Sequence, residues 1–185
     1  MDDSAIATLR ESASRWGATS TRVIPIEDVC VEDWVLLKCE YGCKMYGKRF
    51  TCPPYAPSPD ETRKTLSNYK KALLLEFSDL TDRAQWREIQ IAMYELEREA
   101  FLLGFYRAFA YTCGTCKLCE DCPSDEIGVP TRFDKRKCKN RRRARPSMEA
   151  CGIDVFQTAR NGGYEMGVVH DENGCFDSFC LLLLE

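Results

Sequence analysis

Residues 113–122 read CGTCKLCEDC, four cysteines with two residues between each and the next, and Cys138 follows alone. A second block, KCEYGCKMYGKRFTCPPYAP, carries Cys39, Cys43 and Cys52. Thiols this dense in polar, Gly- and Pro-punctuated segments have two structural uses: they crosslink the chain, or they hold metal. The chain opens MDDSAIATLR, without the basic and apolar regions of a secretory leader, so a cytoplasmic location with reduced thiols is expected. A chain of 185 residues buries a core of its own and needs no covalent staples. Metal is therefore the expectation, and spacing distinguishes which. Zinc is commonly held by two separated C-x2-C pairs that build a tetrahedron. An iron–sulfur cube is wrapped by closely spaced thiolates in C-x2-C-x2-C runs with a fourth recruited from elsewhere. Three consecutive two-residue spacers fit a [4Fe-4S] cluster better, with zinc as the alternative. Cys122-Pro123 follows a two-residue spacer where the bacterial ferredoxin run has three, so the chain is not a plain ferredoxin.

The twelve cysteines divide by their surroundings. Cys39, Cys43, Cys52, Cys113, Cys116, Cys119, Cys122 and Cys138 lie in the loop-like segments and are the candidate cofactor and metal ligands, two sets of four for two clusters. Cys30, Cys151, Cys175 and Cys180 lie among apolar neighbours and read as small buried hydrophobes. Four consecutive cysteines permit two registers, and spacing does not choose between them.

The remaining pattern predicts one domain over 1–185, with cluster-binding segments at 39–57 and 113–146 inside it. A helix is expected over 3–15, a strand over 21–29, and a strand or turn at 34–38. Ser58-Pro59-Asp60-Glu61 combines a serine cap, proline at the first helical position and a glutamate placed to reach back, so a helix runs from there to about Tyr69. KALLLEF (71–77) is a continuous apolar strand. Trp86, Ile89, Met93, Leu96, Ala100 and Leu103 recur at threes and fours, marking one face of a long helix that Gly104 ends. A strand over 105–111 follows. This order predicts a βαβ unit in an α/β fold with a single mixed or mostly parallel sheet and a cysteine-rich iron–sulfur insertion at a strand's carboxyl end. Pro146-Ser147 should cap a helix over 148–160, closed by Asn161-Gly162, and a hairpin around Asn173-Gly174 should lead into a last apolar strand.

Function classes narrow accordingly. A net charge of −3 argues against nucleic acid, and no apolar run reaches the roughly 18 residues of a membrane span. Charge is nevertheless uneven: residues 132–145 carry nine basic side chains against Asp134, +8 in all, which leaves −11 elsewhere. That segment is either a solvated loop or a docking and charge-offset surface beside Cys138. His170, the lone histidine, is more simply a surface or packed residue than a ligand. Tyr41, Tyr46, Phe50 and Tyr55 interleave with the first cysteine block, where they would shield a cluster from water. Glu149, just after the Ser147 cap, reads as a helix-start residue. Neither a P-loop, a nucleophile motif nor GxGxxG is present.

The combination of CPPYAP, CKLCEDC and RPSMEACGIDV over roughly 35–160 resembles a family of predicted metal-binding proteins, domain of unknown function 2284. The resemblance implies Cys116, Cys119, Cys122 and Cys138 as one site and Cys39, Cys43 and Cys52 as another. Cys113 is left to complete the Cys39, Cys43 and Cys52 site or to stand by. The expected function is one-electron transfer to a partner enzyme. The alternatives are a redox enzyme with an open-iron cluster that binds a small anionic or sulfur-containing substrate, and a zinc-stabilised interaction module.

Overall fold

The computed structural model describes residues 3–127, 135–168 and 174–185. Four strands form the centre: β1 (Ser20–Pro25), β2 (Lys71–Leu80), β3 (Phe109–Tyr111) and β4 (Phe176–Leu183), ordered β1-β2-β4-β3. Six helices accompany them: α1 (Asp3–Arg15), α2 (Trp34–Gly42), α3 (Pro59–Leu66), α4 (Trp86–Leu102), α5 (Pro123–Ile127) and α6 (Val155–Asn161).

Both faces of the sheet are covered. On one, Leu73, Leu75, Phe77, Cys180 and Leu182 pack under α1 and α4 through Leu9, Ala13, Met93, Leu96 and Ala100. On the other, Leu74, Tyr111, Phe179, Leu181 and Leu183 pack against Met148, Ile153, Val155 and Ala159. Two-sided burial explains why KALLLEF and FCLLLL are apolar without alternation, since residues pointing to opposite faces of a strand all meet core here.

The expected mixed or mostly parallel sheet is not what forms: β1 pairs with β2, β2 with β4 and β4 with β3, all antiparallel. The βαβ unit is present only in split form. β2 and β3 run the same way with α4 between them in the chain, but β4 inserts between the two strands and pairs with both. An unbroken apolar run reports burial on two faces and carries no information about the direction of the neighbour. Here the last strand, β4, takes the inner position between β2 and β3.

Local differences follow from tertiary contacts. The 34–38 segment is helical, as the start of α2, which packs against the turn at Glu149–Cys151. The 21–29 strand stops at Pro25 and gives way to a 3-10 turn at Ile26–Asp28. The 148–160 helix is divided: Ser147 Oγ accepts from Ala150 N–H at 3.2 Å to start a 3-10 turn, Gly152 breaks it at φ 79°, and Asp154 caps α6. The Ser58–Glu61 capping box forms as expected and starts α3, which ends at Leu66. Residues 164–168 form no strand, and the proposed turn at Asn173 and His170 lie outside the described residues.

The insertion is stapled where it leaves and rejoins the sheet. Thr112 N–H donates to Pro146 carbonyl at 2.9 Å, and Met148 N–H donates to Thr112 carbonyl at 3.0 Å. The excursion from Cys113 to Arg145 thus begins and ends at one point beyond the carboxyl end of β3. Arg145 adds a bidentate pair with Glu97 of α4, at 2.5 and 2.7 Å, and both side chains are largely buried.

Candidate metal centre

Cys116, Cys119, Cys122 and Cys138 ring one small cavity, closed by Arg49, Phe50, Thr51, Asn140 and Ala144. The chain delivers them from two sides, three from the 116–122 run and one from the return segment. Buried Gln90 of α4 holds the approach: its Nε2 donates to the carbonyls of Cys113 and Thr115 at 3.1 and 3.0 Å, and its Oε1 accepts from Lys117 N–H at 2.8 Å. Gly114, at φ 58°, lies flat under the Trp86 indole, where a Cβ would come within 2.3 Å of the ring. Only glycine fits that approach.

The sulfurs have polar company. Asn140 Nδ2 donates to Cys119 Sγ at 3.0 Å, and Ser124 Oγ lies 2.9 Å from Cys122 Sγ. The Arg49 guanidinium, mostly buried, pairs with Asp125, reaches Ser124 Oγ at 3.2 Å, and feels the Cys122 and Cys116 thiols. Burial pushes the Cys116 thiol up to about 11, with Cys138, Cys122 and Cys119 adding to the rise. Cys138 is raised for the same first reason.

Cys39, Cys43 and Cys52 form the neighbouring group. Cys39 lies on α2, and Cys43 follows one turn later, its N–H donating to the Cys39 carbonyl at 3.3 Å. The C-x3-C spacing is thus a helical one, which places both residues on one face. Beyond Cys43 the chain coils through successive turns, Cys52 N–H to Arg49 carbonyl at 3.1 Å and Tyr55 N–H to Cys52 carbonyl at 2.9 Å, which turns Cys52 inward. Burial pushes its thiol up to about 12, with Cys43, Cys39 and Cys116 contributing. Phe50 and Thr51, just before Cys52, wall the four-thiol cavity, so the two groups are neighbours. Of the four aromatics expected as shields, Phe50 is buried and lines the thiol cavity, whereas Tyr41 is 82% exposed.

Cys113 is set apart from both groups. It is buried in the α1/α4 core with its thiol against Cys180. It also touches the wall of a larger cavity of about 420 Å³ at the sheet end, together with Cys39, Glu149 and Cys175. Among the cysteines expected to be structural, Cys151 and Cys180 are buried, but Cys30 is half-buried and Cys175 is exposed.

Buried thiols are poor nucleophiles and poor acids on their own, and a bound cation inverts that logic by stabilising the thiolate. Among the described residues, no three His, Cys, Asp or Glu side chains close around a single point as one ion requires. A tetrahedral zinc would draw its sulfurs in along bonds of about 2.3 Å. The four thiols line a cavity of about 10 Å³.

A family model described as "Predicted metal-binding protein (DUF2284)" matches residues 22–184. The chain belongs to that family. The predicted metal-binding protein has no match among curated proteins or solved structures. Among its described residues no helix is long and apolar enough to cross a membrane.

The site's supporting residues were not visible in the spacing. Gln90 sits on the buried face of α4, where polar residues are rare, and that anomaly is its sequence signal. Asn140, two residues after Cys138, and Arg49, three before Cys52, carry no signal apart from proximity to a cysteine.

Proposed function

We propose that this is an iron–sulfur protein of the cytoplasm that passes single electrons to a partner enzyme. The observation that carries the reading is the set of four thiols, Cys116, Cys119, Cys122 and Cys138, around one cavity, adjacent through Phe50 and Thr51 to the Cys39, Cys43 and Cys52 group. Two [4Fe-4S] clusters held there would supply one-electron chemistry at neighbouring positions. The chain's own residues support that role in three ways. The four thiols at the cavity come from two separate segments, 116–122 and the return at Cys138. Asn140 and Ser124 place hydrogen-bonding groups on ligand sulfurs, a standard means of tuning a cluster's potential. Arg49 places a positive charge beside thiols that would otherwise repel one another.

The outer surface fits a carrier. Arg136, Lys137, Lys139, Arg141, Arg142 and Arg143 are exposed around Cys138, a basic face for an acidic redox partner on a chain that is acidic overall. A second reading, a redox enzyme with an exchangeable iron in the first group, draws on the cavity of about 420 Å³ that reaches Cys39. That volume suits a small molecule. Stepwise reduction of anaerobic protein, followed by electron paramagnetic resonance, tests the proposal. Two signals that broaden each other on full reduction are expected. A protein that takes up no electrons and carries zinc refutes it in favour of an interaction module.

A further inference from the structure

Three cavities meet at Cys138. One is the small four-thiol space, and another is an open basin lined by Lys139, Arg141, Arg142 and Arg143. The third is a slot of about 210 Å³ that plays no part in grouping the thiols. Phe50, Thr51, Cys138 and Ala144 line both the slot and the four-thiol cavity, so the two share a wall. Arg141 lines both the slot and the basin, which places it at their boundary.

The body of the slot is apolar and fixed by the fold. Phe109 belongs to β3, and the Pro146 carbonyl accepts from Thr112 N–H at 2.9 Å. Ala56, beside Pro57 on the opposite segment, donates its N–H to the Cys52 carbonyl at 3.1 Å. Arg145 also lines the slot, but Glu97 already pairs with its guanidinium, which lies over the Phe109 ring at 5.6 Å. Arg141 is different. Its side chain is exposed, and among the described residues no carboxylate pairs with it. Among the described residues no acid lines either the slot or the basin. An aromatic-walled slot bordered by one uncommitted guanidinium suits a flat ring that carries a negative charge. Burial of the ring supplies affinity, and the planar fork of arginine matches the oxygens of a carboxylate or sulfonate. The positive basin repels a cation of the same shape.

We propose that this slot is a binding site for a small aromatic anion, one or two fused rings bearing a carboxylate or sulfonate, with its charge on Arg141. Binding does not depend on iron at the thiols, so this proposal and the iron–sulfur reading fail separately. Full-length protein, prepared anaerobically, is titrated calorimetrically with naphthalene-2-sulfonate, with the cationic 2-naphthylmethylamine and with methanesulfonate. The same titrations are run on Arg141→Gln, Arg143→Gln and Ala56→Phe, each checked for native circular dichroism. One naphthalene-2-sulfonate per chain is expected, with the amine and methanesulfonate bound at least about tenfold more weakly. Arg141→Gln should weaken the sulfonate by about tenfold or more, whereas Arg143→Gln, which lines only the basin, should cost less than about threefold. Ala56→Phe fills the slot and should abolish binding. No heat with the sulfonate, equal affinity for the amine or methanesulfonate, or full binding in a folded Ala56→Phe overturns the proposal. Equal losses in Arg141→Gln and Arg143→Gln overturn it too, since they mark general attraction to the basic face. Arg141 is exposed, so its variant keeps the test decisive even where Ala56→Phe does not fold.

Discussion

Gln90 gives the sharpest test of how the fold presents its thiols. Replacement by Met keeps the side chain's length and apolar stem, and the two residues have similar helix propensity, so α4 itself is spared. What is lost is the set of three hydrogen bonds to Cys113 carbonyl, Thr115 carbonyl and Lys117 N–H. Each contributes a net of about 1 kcal/mol, so the loss is about 3 kcal/mol. For a chain of this size that lowers the melting temperature by roughly 6–12 °C. Cys116 lies between two of the clamped residues, so the same substitution should weaken metal binding at the four-thiol centre by about 10- to 100-fold. Thermal denaturation followed by circular dichroism, with a chelator competition on the loaded protein, reads both effects. A melting temperature within about 2 °C of the parent and undiminished metal affinity would refute the claim that α4 sets the loop's position.

Other consequences concern charge and protons. Removing the donor to Cys119 with Asn140→Ala, or the cation with Arg49→Met, should shift the four-thiol centre's reduction potential to more negative values at unchanged iron content, since both groups stabilise the more negative reduced state; a potential unmoved in protein-film voltammetry would contradict this. Cys52 and Cys116 have folded pKa values raised to about 12 and about 11, so the stability their neutral thiols contribute to the metal-free protein is complete below the ordinary thiol value near 9 and is lost as pH rises towards 11–12. Denaturant midpoints of the metal-free protein should therefore fall from pH 9 upward, and a midpoint that climbs over that range would count against the burial seen here. Replacing Arg141, Arg142 and Arg143 by Glu should slow reduction of ferricyanide, an anionic oxidant, by at least tenfold at low salt, with the difference fading as ionic strength rises. Equal rates at all salt concentrations would exclude the basic face as a docking surface.

How far the chain could be read in advance varied with the kind of signal. Helices with a local signature came through: the Ser58 capping box starts α3, and the three-and-four spacing from Trp86 to Ala100 is the buried face of α4. Sheet direction did not, because β4 pairs with segments some hundred residues earlier and its apolar run is silent about orientation. WVLLKC has apolar residues that suit a strand, yet contact with the 149–151 turn makes it helical, which puts Cys39 and Cys43 one turn apart. The grouping of Cys116, Cys119, Cys122 and Cys138 followed the motif resemblance, and in the fold all four line one small cavity. Cys113, identical to them in spacing, diverges because it is the last residue under the sheet before the chain leaves it. Glu149 looked like an ordinary helix-start acid, and only the fold shows its Oε2 sealed from solvent without a hydrogen-bond partner.

Iron and acid-labile sulfide measured on anaerobically purified protein test the central claim most directly. Two cubes require about eight of each per chain, with about four remaining when Cys119 is replaced by Ser. Zinc at one or two equivalents with no labile sulfide would contradict the account.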